Sequence, residues 1–238
     1  MTFNSSRPCK LRIRNPSAVR SMLIPCFRLF QCLALALQFQ PLDYDYSLDS
    51  LKYAAGMSFD DLASDYSESA MSIMSLLGKR HTTLITVQAG FLRTAFLKNC
   101  GMVPESWHSL SQTIRDAQEI GLHKNIIERR KPDEKPEDVL ENLWLEQLRR
   151  RVWLIISLWD IHMALVLGRP TTIDNRDGKP PFPIDAPTPK NRREVAPAPR
   201  TESDPPTPLS VLLWTCELSA PLVSLPSLFP YQANSNSS

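Results

Sequence analysis

An all-α fold, a multi-helix domain with a long central helix and a proline-rich tail, is predicted by three features of this sequence. Glycine is scarce and proline abundant, 7 against 21 in 238 residues, whereas sheet-rich and phosphate-cradling folds use glycine for turns and close backbone approaches. Apolar residues recur at spacings of three and four, the rhythm of a helical face. Residues 137–167 contain neither proline nor glycine, which allows one unbroken helix. A hydrophobic content of 42% is enough for a single sizeable core.

The elements follow in order. From Val19 to about Gln38, Leu23, Phe27, Phe30, Ala34 and Leu37 form one apolar face, and Pro41 stops the helix. A short helix is expected over Leu48 to Gly56. Ser58 followed by Asp61 has the form of a capping box, opening a helix that reaches Leu77, with Tyr66, Met71 and Met74 on its inner side and Gly78 as its terminating residue. Thr82 or Thr83 can cap the next helix, which carries Leu84, Val87, Phe91, Phe96 and Leu97 and ends at Cys100-Gly101. Pro104 suits the first position of the following helix, with Trp107, Leu110, Ile114, Ala117 and Ile120 along it and Gly121 closing it. These two helices make an antiparallel hairpin. Residues 125–136 are charged and contain Pro132 and Pro136, a loop. The long helix Glu137 to Leu167 is charged up to Arg151 and apolar afterwards, so one end lies at the surface and the other crosses the core; Gly168 and Pro170 end it. Residues 178–208 are dense in proline and read as a linker or disordered tail, with one further short helix over Leu209 to Leu218. The chain therefore divides into a flexible basic arm (1–20), a helical domain (21–185) and a proline-rich linker and tail (186–238).

Composition excludes several functions. The net charge of +2 gives no field strong enough to hold the whole molecule on a polyanion. The basic excess sits in residues 1–20, where Arg7, Lys10, Arg12, Arg14 and Arg20 occur without an acid. That pattern suits a solvated end, a phosphate-contacting or importer-read segment, or a mitochondrial transit peptide. Cys9, Cys26, Cys32, Cys100 and Cys216 are odd in number and scattered, which argues against a disulfide ladder and a structural zinc site and for a reducing compartment. Residues 22–39 contain Pro25, Arg28 and Gln31, and residues 152–167 are short and contain Asp160 and His162, so both read as buried helices rather than membrane spans.

Three segments resemble a known family. Ser106-Trp107-His108-Ser109-Leu110 through Ile114-Arg115-Asp116-Ala117-Gln118-Glu119-Ile120-Gly121-Leu122-His123-Lys124 is similar to the "aW…aiRlAq.lGLHrd" signature of the fungal-specific transcription factor domain. Leu148-Arg149-Arg150-Arg151-Val152-Trp153 with Asp160 resembles its "RRRlWW…lD". Leu167-Gly168-Arg169-Pro170 with Thr172-Ile173 and Pro181-Phe182-Pro183 resembles its "lGRP..i…lP". Leu154 stands where the family commonly has a second Trp, and Ile161-His162 where a basic residue follows the Asp.

The resemblance implies the regulatory middle region of a nuclear, non-enzymatic regulator of DNA-templated transcription, whose partners are other transcription proteins or a homologous regulator. In that family a zinc binuclear cluster with six close cysteines binds DNA. No such order precedes Cys32, so zinc and DNA contact are expected only from a module missing here, through real loss or an incomplete start, and no cofactor is expected within this chain. The alternative is a small-effector-binding or inhibitory helical module without DNA binding.

Single residues have mostly structural readings. Consecutive Arg149, Arg150 and Arg151 point three ways on a helix, which suits capping of helix ends and pairing with acids such as Glu146 better than a DNA-binding face. Asp160 in an apolar run needs an Arg or a backbone donor as buried partner. His81, His108, His123 and His162 show no metal-ligand spacing, and His123 after Gly121 is expected to satisfy a helix end. Residues 174–178 have acids and glycine misplaced for a calcium loop and read as a turn. Trp107, Trp144, Trp153 and Trp159 read as core aromatics, although an enclosed aromatic pocket suits a small effector.

Overall fold

A computed structural model describes residues 16–40, 45–78, 81–125, 134–174 and 180–223. Most of the basic arm, Pro41, most of the charged loop, the turn after Asp174 and the last fifteen residues lie outside these. Among the described residues every regular element is helical. They fall into two units that divide between His81 and Thr82.

The first unit pairs two helices. Helix α1 (Pro16–Ala36) starts three residues before the expected position, at a proline whose fixed φ suits a first turn. Its end tightens through the bonds from Gln38 N–H to the Leu35 carbonyl and Phe39 N–H to the Ala36 carbonyl. Phe27, Ala34 and Leu37 are buried against α2 (Phe59–Leu77), whose Leu62, Ala63 and Ala70 are buried too. Within this seam, Ser67 and Gln31 are both fully buried, and the Ser67 hydroxyl donates to Gln31 Oε1 at 3.1 Å while Gln31 Nε2 donates to the Ser67 carbonyl. The capping box at Ser58 and Asp61 forms. Gly78 has φ 64° with ψ 172°, positive but outside the left-handed helical region. The helix expected over Leu48 to Gly56 is instead a 3-10 helix, Tyr46–Leu51, set earlier because Asp45 accepts the Ser47 N–H.

In the second unit α3 (Leu84–Asn99) and α4 (Val103–Glu119) form the antiparallel hairpin. Thr83 and Thr86 cap α3 reciprocally, and Pro104 occupies the second helical position of α4 rather than the first. The two helices approach closely over small residues. Thr94 Oγ1 donates to Ser109 Oγ at 3.0 Å, Ser106 Oγ donates to the Thr94 carbonyl at 2.8 Å, and a Cβ on Gly90 would lie 2.8 Å from Thr113 Oγ1. Helix α5 (Pro136–Leu167) runs through the core, where Val152, Trp153, Ile156 and Met163 pack with Val87, Leu110, Ile114, Ala117 and Leu122.

Residues 186–207 are not a detached linker, which corrects the expectation drawn from their prolines. Proline removes backbone donors, but side chains of α5 supply the bonds instead. Gln147 Oε1 accepts the Ile184 N–H at 2.7 Å, Arg151 Nη2 donates to the Ala186 carbonyl at 2.9 Å, and Trp144 Nε1 donates to the Val195 carbonyl at 2.7 Å. This strap leads into α6 (Pro208–Val223), longer than the helix expected there, whose Leu209, Leu212, Leu213 and Cys216 pack on Leu154 and Leu158 of α5. Asp185 joins strap to helix by accepting from Arg200 Nε (2.8 Å), Thr207 Oγ1 (2.5 Å) and Ser210 Oγ (2.6 Å). Burial alone would raise the Asp185 carboxyl, but those hydrogen bonds and the Arg200 charge outweigh it and hold it below its ordinary value.

Candidate functional site

The three motif segments converge on the contact between α4 and α5. Two of them end helices in the same way. Gly121 has φ 73°, its N–H bonds the Gln118 carbonyl, and the next N–H, of Leu122, bonds the Ala117 carbonyl at 2.9 Å. Gly168 has φ 60°, its N–H bonds the Leu165 carbonyl, and the Arg169 N–H bonds the Ala164 carbonyl at 3.0 Å. Both are Schellman stops, which need a residue tolerant of positive φ and fix the direction of the side chain after it. After the first stop Leu122 drives into the core. After the second, Arg169 turns back over α4 and sets its guanidinium 4.5 Å from the ring centroid of half-buried Trp107.

Asp160, 1% exposed on the apolar half of α5, finds the backbone-donor type of partner. Its Oδ1 accepts the Thr172 N–H at 3.1 Å and its Oδ2 the Ile173 N–H at 2.8 Å. Burial pushes its carboxyl above the usual range, and the bonds from Ile173 and Thr172 offset only part of that. The Thr172 hydroxyl lies 3.2 Å from Ser111 Oγ on α4, so the turn after Pro170 is fastened to both helices.

The three arginines separate. Arg149 Nη2 donates to the Ile120 carbonyl at 2.8 Å, closing the end of α4. Arg150 pairs with Glu146 one turn earlier. Arg151 grips the strap through the Ala186 carbonyl and Thr188 Oγ1, and burial lowers its guanidinium from its ordinary value. The end of α4 is thus satisfied by Arg149 and backbone groups rather than by the expected His123, whose ring lies 6.0 Å from Trp153 at 51°. Trp153 is buried in the core, Pro170 is exposed beside the Gly168 stop, and Arg115 stands apart from the cluster, exposed on α4.

The model of the fungal specific transcription factor domain matches residues 14–212, most of the chain. The chain belongs to that family. No curated protein and no solved structure matches it. The fungal transcription factor domain therefore extends past the boundary set at 185 and takes in the strap and the start of α6. Gln147 and Asp185 organise the strap without standing in any of the three motif segments. The spacing of Trp144, Gln147 and Arg151, three polar-tipped side chains along one face of α5, was the available signal. Among the described residues of the domain, no group of three or more His, Cys, Asp or Glu is placed to hold a metal, and no helix is long and apolar enough to cross a membrane.

Proposed function

We propose that this chain is the regulatory middle domain of a nuclear transcription regulator, acting through protein contacts with other transcription proteins or a homologous regulator. DNA recognition belongs to a zinc-cluster module supplied from outside residues 1–238. The observation that carries this reading is the engagement of the signature residues with each other. Arg149 is bonded to the α4 end, Arg151 to the strap, Asp160 to the 172–173 turn and Arg169 to Trp107. These contacts hold α4, α5, the turn and the strap together, which suits a domain that presents its helical surface to partners.

The test is to fuse the full chain to a heterologous DNA-binding module and measure a reporter carrying that module's site, with a fluorescent tag to follow location. Nuclear accumulation with a several-fold change in reporter transcript supports the assignment. A nuclear fusion that leaves the transcript unchanged refutes it.

A small-molecule effector is the second partner class that we infer. A cavity of about 140 Å³ between α5, the 171–174 turn, the start of the strap and α6 favours one of roughly benzene size.

A further inference from the structure

The chain from 180 to 189 has no regular structure, and within it Thr188 is exposed and followed directly by Pro189. The Thr188 hydroxyl oxygen accepts from Arg151 Nη1 of α5 at 3.3 Å. That arginine is half-buried. Among the described residues every acceptor bonded to it is neutral, namely the Ile184 and Ala186 carbonyls and the Thr188 hydroxyl. Its Nε is buried with no acceptor among them. Burial is the largest influence lowering its guanidinium, the Asp185 charge counters this and the Arg192 charge adds to it. Asp185 is itself engaged by Arg200, Thr207 and Ser210. Helix α5 thus sets a cation against the strap with no carboxylate bonded to it.

The sequence contains two Thr-Pro steps and no Ser-Pro step, Thr188-Pro189 and Thr207-Pro208. A hydroxyl residue followed by proline in a non-helical segment is the substrate form of proline-directed protein kinases, because the proline fixes the backbone and removes the next donor. The two steps differ in their surroundings. Thr207 is half-buried and donates to Asp185 Oδ1 at 2.5 Å, so a phosphate there would replace a hydrogen bond by repulsion between anions. At Thr188 a phosphate would face Arg151, with Lys190 and Arg192 following it in the chain. It brings a charge of roughly −1.5 to −2 and three acceptor oxygens to a guanidinium that has a donor to spare.

We propose that Thr188 is a phosphorylation site for a proline-directed protein kinase, and that its phosphate, held by Arg151, clamps the strap onto α5. In the transfer, Thr188 Oγ bonds to the γ-phosphorus of a nucleoside triphosphate as the bond to the β-bridging oxygen breaks. The nucleoside diphosphate leaves, and the hydroxyl proton passes to the kinase's base. The weak neutral contact between Thr188 and Arg151 becomes a charge-assisted pair, so the strap opens less often. This assignment depends on neither the transcriptional nor the effector reading.

The experiment incubates the full chain with a purified mitogen-activated protein kinase, ATP and magnesium. Peptide mass spectrometry follows phosphate at Thr188 and Thr207, and hydrogen exchange follows the Ile184 amide, which Gln147 holds at the neighbouring point of the strap. Thr188 should be modified on the order of ten times faster than Thr207, whose hydroxyl is engaged. Exchange at Ile184 should then slow by about tenfold, from one or two added charge-assisted hydrogen bonds. In Arg151→Gln, compared with its own unmodified form, phosphorylation should proceed but slow the exchange less than about twofold. Thr188 left unmodified, or modified after Thr207, overturns the site, and a peptide of residues 183–193 tells whether folding or sequence prevents it. Complete modification with exchange unchanged or faster overturns the clamp. Equal slowing in Arg151→Gln overturns the role given to that arginine.

Discussion

The guanidinium of Arg169 lies 4.5 Å from the ring centroid of Trp107, tying the residue after the α5 stop to the first turns of α4. A cation over a half-buried indole contributes on the order of 1 kcal/mol. Arg169→Ala should lower stability by about that amount and shift the Trp107 fluorescence maximum, compared in a background where the other four tryptophans are phenylalanine. An unshifted maximum with unchanged stability would show that the stacking contributes nothing.

Asp160→Ala leaves the N–H groups of Thr172 and Ile173 without their acceptors, at a cost of roughly 2–4 kcal/mol. The wild-type carboxyl is raised by burial. Between the ordinary value, about 4, and the raised one, the native state retains a proton that the unfolded chain has released. Stability therefore falls as pH rises through that window. Denaturant titrations across acidic pH should show this slope in the wild type and its loss in Asp160→Asn.

Asp185 predicts the opposite dependence. Burial acts to raise its carboxyl, but the bonds from Ser210, Thr207 and Arg200 prevail and depress it. Its contribution is present above the ordinary carboxylate value and is lost as pH falls through the depressed one. Asp185→Ala should cost about 1–3 kcal/mol, for the hydroxyl and guanidinium donors left behind. It should also speed proteolytic cleavage between the strap and α6. Cleavage at the wild-type rate would mean that α6 is held by its apolar contacts alone.

Gly90→Ala ought to gain helix propensity, on the order of 1 kcal/mol. It should instead destabilise, because the new methyl would sit 2.8 Å from Thr113 Oγ1, whose rotamer is held by a bond to the Ser109 carbonyl. Adding Thr113→Ala should recover most of the loss. A double variant no more stable than Gly90→Ala would place the constraint elsewhere in the α3–α4 contact.

Much of this was legible because it depends on local chemistry. Ser58, Thr83, Gly121 and Gly168 act within one turn of where they stand, and periodicity located α2, α4 and α5 to within a few residues. The need of Asp160 for a buried partner was legible, while the identity of that partner, the Thr172 and Ile173 amides, depends on how the chain turns after Pro170. Proline density signals a lack of backbone donors without showing whether another element supplies partners, which is why the strap reads as a detached linker in the sequence. Here Arg151 and Trp144 donate to strap carbonyls and Gln147 accepts the Ile184 N–H, all from more than thirty positions away in the sequence. His123 was assigned to a helix end that Arg149 reaches from a different helix, a competition visible only once α4 and α5 are adjacent.

Among the described residues the strap meets α5 through side chains, with no ladder of main-chain bonds to it. It can therefore lift at a cost far below that of melting a helix, which makes it a separate opening unit. Amide hydrogen exchange should resolve two tiers in this half of the molecule. The Ile184 amide, protected only by Gln147, should exchange at the rate of strap opening, and the amides of Val152 to Leu158 only when the helical core itself comes apart.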